Sequence, residues 1–211
     1  MQESILQRIL AKLKPNGGSD AAGIRLNSPA ALAAKYPDVP KPLPRLSLEI
    51  VAAGWVCRDI GTNEMPGIAA DLLEAGVDSP ALRRLAEKTK VIRSTDLDEL
   101  VAQAFRELEI PNPLPKREMR LVMTRQIARE VIAGQRDPIE AAAHLEFVIW
   151  DWEPGTRDIV ALFNLHGELN WDPKARRPLA EVTADILDAF ARLAMITNQE
   201  IFATPQRSRK P

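Results

Sequence analysis

The chain has 211 residues, 45% of them hydrophobic, and its 28 basic side chains nearly cancel its 29 acidic ones. That is enough apolar material for one sizeable core without disulfides or metals, and it leaves no global field to draw the protein onto nucleic acid or an anionic membrane. The single cysteine, Cys57, can form no intramolecular disulfide and suits a reducing cytoplasm.

In residues 1–20, Ile5, Leu6, Ile9, Leu10 and Leu13 recur at helical spacing among polar side chains. This predicts an amphipathic arm, closed by the breaker cluster Pro15-Asn16-Gly17-Gly18-Ser19-Asp20, and not a secretory signal, which needs an unbroken apolar region. No segment approaches the roughly 18 consecutive apolar residues that span a bilayer, so a cytoplasmic chain without membrane association is expected. Residues 21–45 read as a proline-rich connection with one short helix: Ser28-Pro29 supplies an N-cap and a first-turn proline, and Pro37, Pro40, Pro42 and Pro44 impose extended chain.

A helical domain is expected over 46–198. From Leu48 to about Asp59 apolar residues cover most of the circumference, which describes a central helix surrounded by others. Pro66 and Gly76 bracket a second helix, and Ser79-Pro80 starts a third. Leu97, Leu100, Val101, Ala104, Phe105 and Leu108 step by threes and fours behind Thr95, a candidate cap answered by Asp98. Met119, Val122, Met123, Ile127 and Val131 carry a long helix to Gly134, and Asp137-Pro138 opens the next. The segment after Pro154-Gly155, with Leu162, Phe163 and Trp171, is only loosely patterned and leaves room for a short strand pair. Leu179, Val182, Ile186, Phe190 and Leu193 define a last helix, before a basic tail over 199–211 that is expected to be disordered. The fold class is therefore all-α: an irregular multi-helix bundle, one compact domain with an N-terminal arm and a C-terminal tail.

The helix begun at Asp137 runs into FVIWDWEP, Phe147 to Pro154, which holds two of the four tryptophans. At about 100° per residue, Ala141, Leu145, Val148, Ile149 and Trp152 share one face, and Ile139, Ala143, Phe147 and Trp150 the other. Such a helix belongs between two layers, and burial of both tryptophans is its plainest reading. Asp151 and Glu153 run against it, because acids in a last turn meet the exposed carbonyl end of the helix. From Asp137 to Asp172 there are eight acids and one base, Arg157, so the surface there is acidic and holds aromatics. Lys116, Arg117, Arg120, Arg125, Arg129 and Arg136 make the preceding helix the opposite sign, and a solvated seam between the two is the simplest outcome. An acidic patch that meets a basic protein is the alternative, with Trp150, Asp151, Glu153 and Asp158 as its candidate partner-binding residues.

Chemistry is sparse. Two histidines, His144 and His166, and one cysteine match no metal-ligand spacing, no serine has nucleophile-elbow glycines, and Asn16 to Asp20 lacks the lysine of a phosphate loop. His166-Gly167-Glu168 reads as surface, Cys57 as inert packing, and Asp96, Asp98 and Glu99 as helix-start charges. The basic helix has the sign for nucleic acid but no interleaved aromatics. No catalytic residue, metal or cofactor is assigned.

Glu64 to Gly76, continued by Asp78-Ser79-Pro80-Ala81-Leu82-Arg83-Arg84-Leu85-Ala86, resembles a family of uncharacterised bacterial proteins with a proline-started helix, a glycine and an aspartate-serine-proline-alanine-leucine block. Ile132 to Ala142 is similar to the family's second block, with Ala141 where a glycine is expected. The likeness spans about Leu48 to Leu193. Its motifs are helix punctuation, so it implies a helical fold and no site residue.

The expectation is a non-enzymatic interaction module, immunity-like or toxin-neutralising, that takes a basic protein on its acidic tryptophan-bearing surface. Homo-oligomerisation stays open. The rival readings are a small-ligand binder or enzyme with Asp151, Glu153 or His166 in a pocket, and a DNA-associated regulator that uses the basic helix 116–136.

Overall fold

The structure, a computed structural model, describes residues 28–88, 94–110, 115–148, 157–171, 174 and 177–196. These form helices and connections, with no strand among the described residues. We number the helices α1 (Pro29–Lys35), α2 (Leu48–Val56), α3 (Met65–Glu74), α4 (Pro80–Ala86), α5 (Ser94–Glu107), α6 (Lys116–Ile132), α7 (Pro138–Val148), α8 (Arg157–Leu169) and α9 (Leu179–Met195).

The helix starts follow local chemistry. Ser28 Oγ accepts from the Ala31 amide at 3.2 Å and Ser79 Oγ from the Leu82 amide at 3.1 Å, each ahead of a proline whose missing N–H costs nothing in a first turn. Asp137 Oδ1 caps α7 through the Ile139 and Glu140 amides at 2.8 and 3.0 Å. One expected cap differs: α5 already begins at Ser94, so Thr95 lies inside its first turn.

Two apolar clusters hold the bundle together. The larger is built by α6, α7, α8 and α9 with Leu32 of α1, and the smaller by α3, α4 and α5. The expected central helix is α2, shorter than its pattern suggested: Ile50 and Ala53 point into the larger cluster, Val51 and Ala52 into the smaller. The helix with the most neighbours is α6, which packs on α1, α2, α7 and α9. Its buried residues run from Leu121 to Ile132 on nearly every side, which is why its arginines mark no continuous face. Gln126 is buried there and takes both backbone groups of Leu43, at 2.9 and 3.0 Å, so the proline-rich stretch is tied to the body. On α7 the face Ala141, Leu145 and Val148 is buried, while Ile139 is partly so.

Two backbone details fix neighbouring elements. Arg58 adopts φ 58°, a left-handed turn that lets the amides of Asp59 and Ile60 return to the Gly54 carbonyl at 2.9 and 3.1 Å. Ile60 then lies across α2, its Cδ1 2.8 Å from where a Gly54 side chain would begin. At the far end of α6, Gly134 has φ 69°, and a Cβ there would lie 2.7 Å from Pro29 Cγ.

Candidate interaction surface

The segment after Pro154-Gly155 is helical from Arg157 to Leu169 and not a strand pair. Ile159, Leu162 and Leu169 form its buried face, and the slot between the last two is filled by His166, which hid the repeat. His166 is thus no loop decoration: its side chain is only 15% exposed, and Nδ1 lies 3.1 Å from Glu146 Oε2 on α7. α8 packs on α9 and α7.

Opposite the core, Val160, Asn164 and Gly167 follow one another at steps of four and three and fall within about 60° of arc, and Trp171 lies two residues beyond the helix. Val160 is 41% exposed and Trp171 59%, two of four large apolar side chains exposed among the described residues. A Cβ at Gly167 would meet nothing within 4 Å, so this face lies open. Glu168 and Arg177, on either side of Trp171 in the chain, are tied together. Glu168 grips Arg177 through Nε at 3.1 Å, Nη2 at 3.0 Å and the backbone amide at 3.2 Å, while Asp185 of α9 takes Nη1 at 2.7 Å. The hydrogen bonds from Arg177 hold the Glu168 carboxyl below its ordinary value against the opposing effect of desolvation. The fork geometry positions more than it stabilises, since exposed pairs contribute little.

Of the residues singled out in sequence, Trp150, Asp151 and Glu153 lie outside the described residues, and Asp158 stands in the first turn of α8 with its side chain outside them. Other acids of the region have defined partners: Asp137 caps α7, Glu146 meets His166, and Glu168 holds Arg177. On the basic helix, Arg129 Nε donates to the Ala194 carbonyl at 3.3 Å. Arg136, just beyond that helix, pairs with Glu130 at 3.2 Å. These contacts run within α6 and its following turn and to α9, and Arg136 also reaches His144 on α7.

Sequence reasoning missed a second polar group, Asp59, His144, Arg136 and Glu130. Arg136 Nη1 lies 2.7 Å from His144 Nδ1, and His144 Nε2 lies 2.8 Å from Asp59 Oδ1. A guanidinium can only donate, so Nδ1 carries the lone pair and Nε2–H donates to Asp59. Both ring nitrogens are occupied, which makes this a clasp between the α2 turn and α7 and leaves His144 no lone pair for proton transfer to a substrate. Burial works to raise the Asp59 carboxyl, but the hydrogen bond from His144, the charge that ring carries when protonated, and the charges of Arg136 and Arg45 outweigh it and hold it below the ordinary aspartate value. A depressed carboxyl contributes stability above its unfolded value and loses it as pH falls through the folded one. Asp59→Asn is therefore expected to lower stability at neutral pH, with the gap to wild type closing below about pH 4. Urea unfolding across pH checks this, and a gap constant down to acid would contradict it.

Cys57 is buried, and burial pushes its thiol up to about 12. A pocket of about 230 Å³ lies between α1, α9 and the α6–α7 turn, lined by Leu32, Val131, Gln135, Arg136, Asp137 and Leu187 among others. Among the described residues no three of His, Cys, Asp and Glu converge as metal ligands, and no helix is long and apolar enough to cross a membrane. Compared with known proteins, the chain matches no family model, no curated protein and no solved structure.

Proposed function

We propose that this is a non-enzymatic, cytoplasmic interaction module of bacterial type, and that it belongs to the helical family its Glu64–Ala86 punctuation resembles. Its partner is a basic protein, taken on the acidic, aromatic region of Trp150, Asp151, Glu153 and Asp158, with the exposed Trp171 as a further contact. An immunity-like or toxin-neutralising role is one form of this reading, because such a surface suits a basic nuclease.

The observation that carries it is Trp171, 59% exposed just beyond α8, between Glu168 and Arg177, which pair with each other. A large exposed aromatic side chain has much apolar surface to bury on binding, which is the usual character of an interface anchor. The rival readings have less support. The basic helix α6 packs against four neighbours and is buried along most of its length from Leu121 to Ile132, which leaves it poorly placed for a DNA groove. The pocket at the α6–α7 turn is lined by Arg136 and Asp137 and not by the expected His166, while the other two expected residues, Asp151 and Glu153, lie outside the described residues.

The test is purification of the tagged full chain from its native host. A stoichiometric basic companion, released by salt, is expected with wild type. Trp171→Ala should weaken that complex at least about 30-fold, as loss of an anchor does. It should shift folding stability by no more than about 0.5 kcal/mol, since the side chain is exposed. Asp151→Asn should also weaken binding. A chain that purifies alone, or a complex indifferent to both substitutions, sinks the proposal.

A further inference from the structure

We infer that the His144 ring is a proton-controlled catch: neutral, it holds the guanidinium of Arg136, and protonated, it expels that guanidinium toward the cavity at the α6–α7 turn.

The two sides of the ring respond differently to a proton. Nε2–H donates to Asp59 Oδ1, 2.8 Å away, and does so whether the ring is neutral or charged. Nδ1 faces Arg136 Nη1 at 2.7 Å and accepts only while it keeps its lone pair. A proton on Nδ1 sets N–H against N–H and brings two positive charges to hydrogen-bond distance. The guanidinium cannot answer by giving up a proton of its own, so it has to move. Asp59, whose carboxyl is held below its ordinary value, stays charged over the range in which imidazoles titrate, and it keeps the ring in place. The break therefore falls on the Arg136 side.

The surroundings provide for both positions. Glu130 Oε2 lies 3.2 Å from Arg136 Nε, and its Oε1 accepts from Gln126 Nε2 at 2.9 Å. Gln126 is buried and bound to both backbone groups of Leu43, so Glu130 is a fixed point about which Arg136 can pivot. Arg136 also lines the cavity of about 230 Å³ between α1, α9 and the turn, which gives the displaced group room.

The charged groups that face the ring are Asp59 from the turn after α2 and Arg136 from the α6–α7 turn. Arg45 of the proline-rich stretch and Glu130 of α6 stand one contact further out, acting on Asp59 and Arg136. Those of the other elements are engaged elsewhere. Glu146, which α7 presents to His166 of α8, lies about 200° round the helix from His144. On α9, Asp185 holds Arg177, and Asp188 holds Lys35 and Tyr36. On release, the α6–α7 turn loses its tie to the ring, while His144 and Asp59 still join α7 to the turn after α2. One link opens as the other gains charge.

Isotope-edited magnetic resonance on the full chain, from about pH 8 to about pH 5, tests this. At the upper end the His144 ring should carry its hydrogen on Nε2 and show through-space contact with the Arg136 side chain. That contact should vanish in step with protonation of the ring. In His144→Asn the amide oxygen still accepts from Arg136 and has no proton to gain, so the contact should survive over the whole range. Arg136→Ala removes the group that competes with the proton, and its His144 ring should be protonated at a pH at least about half a unit above wild type. A ring with its hydrogen on Nδ1 at the upper end, or one still neutral at the lower end, would overturn the inference. So would an Arg136 contact that outlasts protonation or fades equally in His144→Asn, or a ring indifferent to Arg136→Ala.

Discussion

Replacing Phe190 with alanine is expected to lower the unfolding free energy by about 3–5 kcal/mol. Phe190 is wholly buried on α9, in the cluster that also holds Ile186, Leu193, Leu145 and Leu121. α9 packs on α6, α7 and α8, so a void there falls where four helices meet. The lost transfer energy of the ring adds to the cost of a cavity that long helices relax into poorly. Against a total stability of about 5–15 kcal/mol, this is a large part of what holds the fold. The melting temperature should fall by roughly 6–20 °C for a chain of this size. Urea unfolding should show the midpoint move while the slope stays the same. A loss below about 1 kcal/mol would mean that the α9 interior is not packed as described.

The second large effect is expected at Gly134. Its φ of 69° costs an L-residue about 1–2 kcal/mol, and the new Cβ would stand 2.7 Å from Pro29 Cγ and 3.2 Å from Pro29 Cα. A proline ring cannot swing aside as the end of an isoleucine can, so α1 must move off the α6–α7 turn. Gly134→Ala should therefore cost about 2–4 kcal/mol, the strain and the displaced packing acting together. Gly167→Ala is the control. Gly167 is helical, sits in open space, and should gain up to about 1 kcal/mol from helix propensity. Calorimetry on the two variants should give opposite signs; a shared sign would refute this account of Gly134.

Much of the helical plan could be read from the sequence because its signals are local. Ser28-Pro29 and Ser79-Pro80 cap as written, and Leu97, Val101, Ala104 and Phe105 are buried at the spacing that announced them. The face Ala141, Leu145 and Val148 likewise went inward. α8 escaped notice because its core row is interrupted by His166, a polar ring that Glu146 of another helix makes acceptable inside. Trp171, apolar by type, lies exposed two residues beyond the helix and spoiled the periodicity further. The acidic residues were legible as composition, but their partners were not: Glu168 meets Arg177 only because the chain turns back after α8. Asp59 and His144 are far apart in sequence and meet through a left-handed Arg58, which no propensity rule would place there.

The division of α2 between two apolar clusters has a consequence for how the molecule comes apart. Its successive residues belong to different interiors, Ile50 and Ala53 to one and Val51 and Ala52 to the other, so this short helix is a seam. Thermal fluctuation can peel α3, α4 and α5 away as a unit while α6 to α9 stay closed, and amide deuteration would then divide into a fast and a slow population. The amides of α2 belong to the slow one, since they open only when the second interior does.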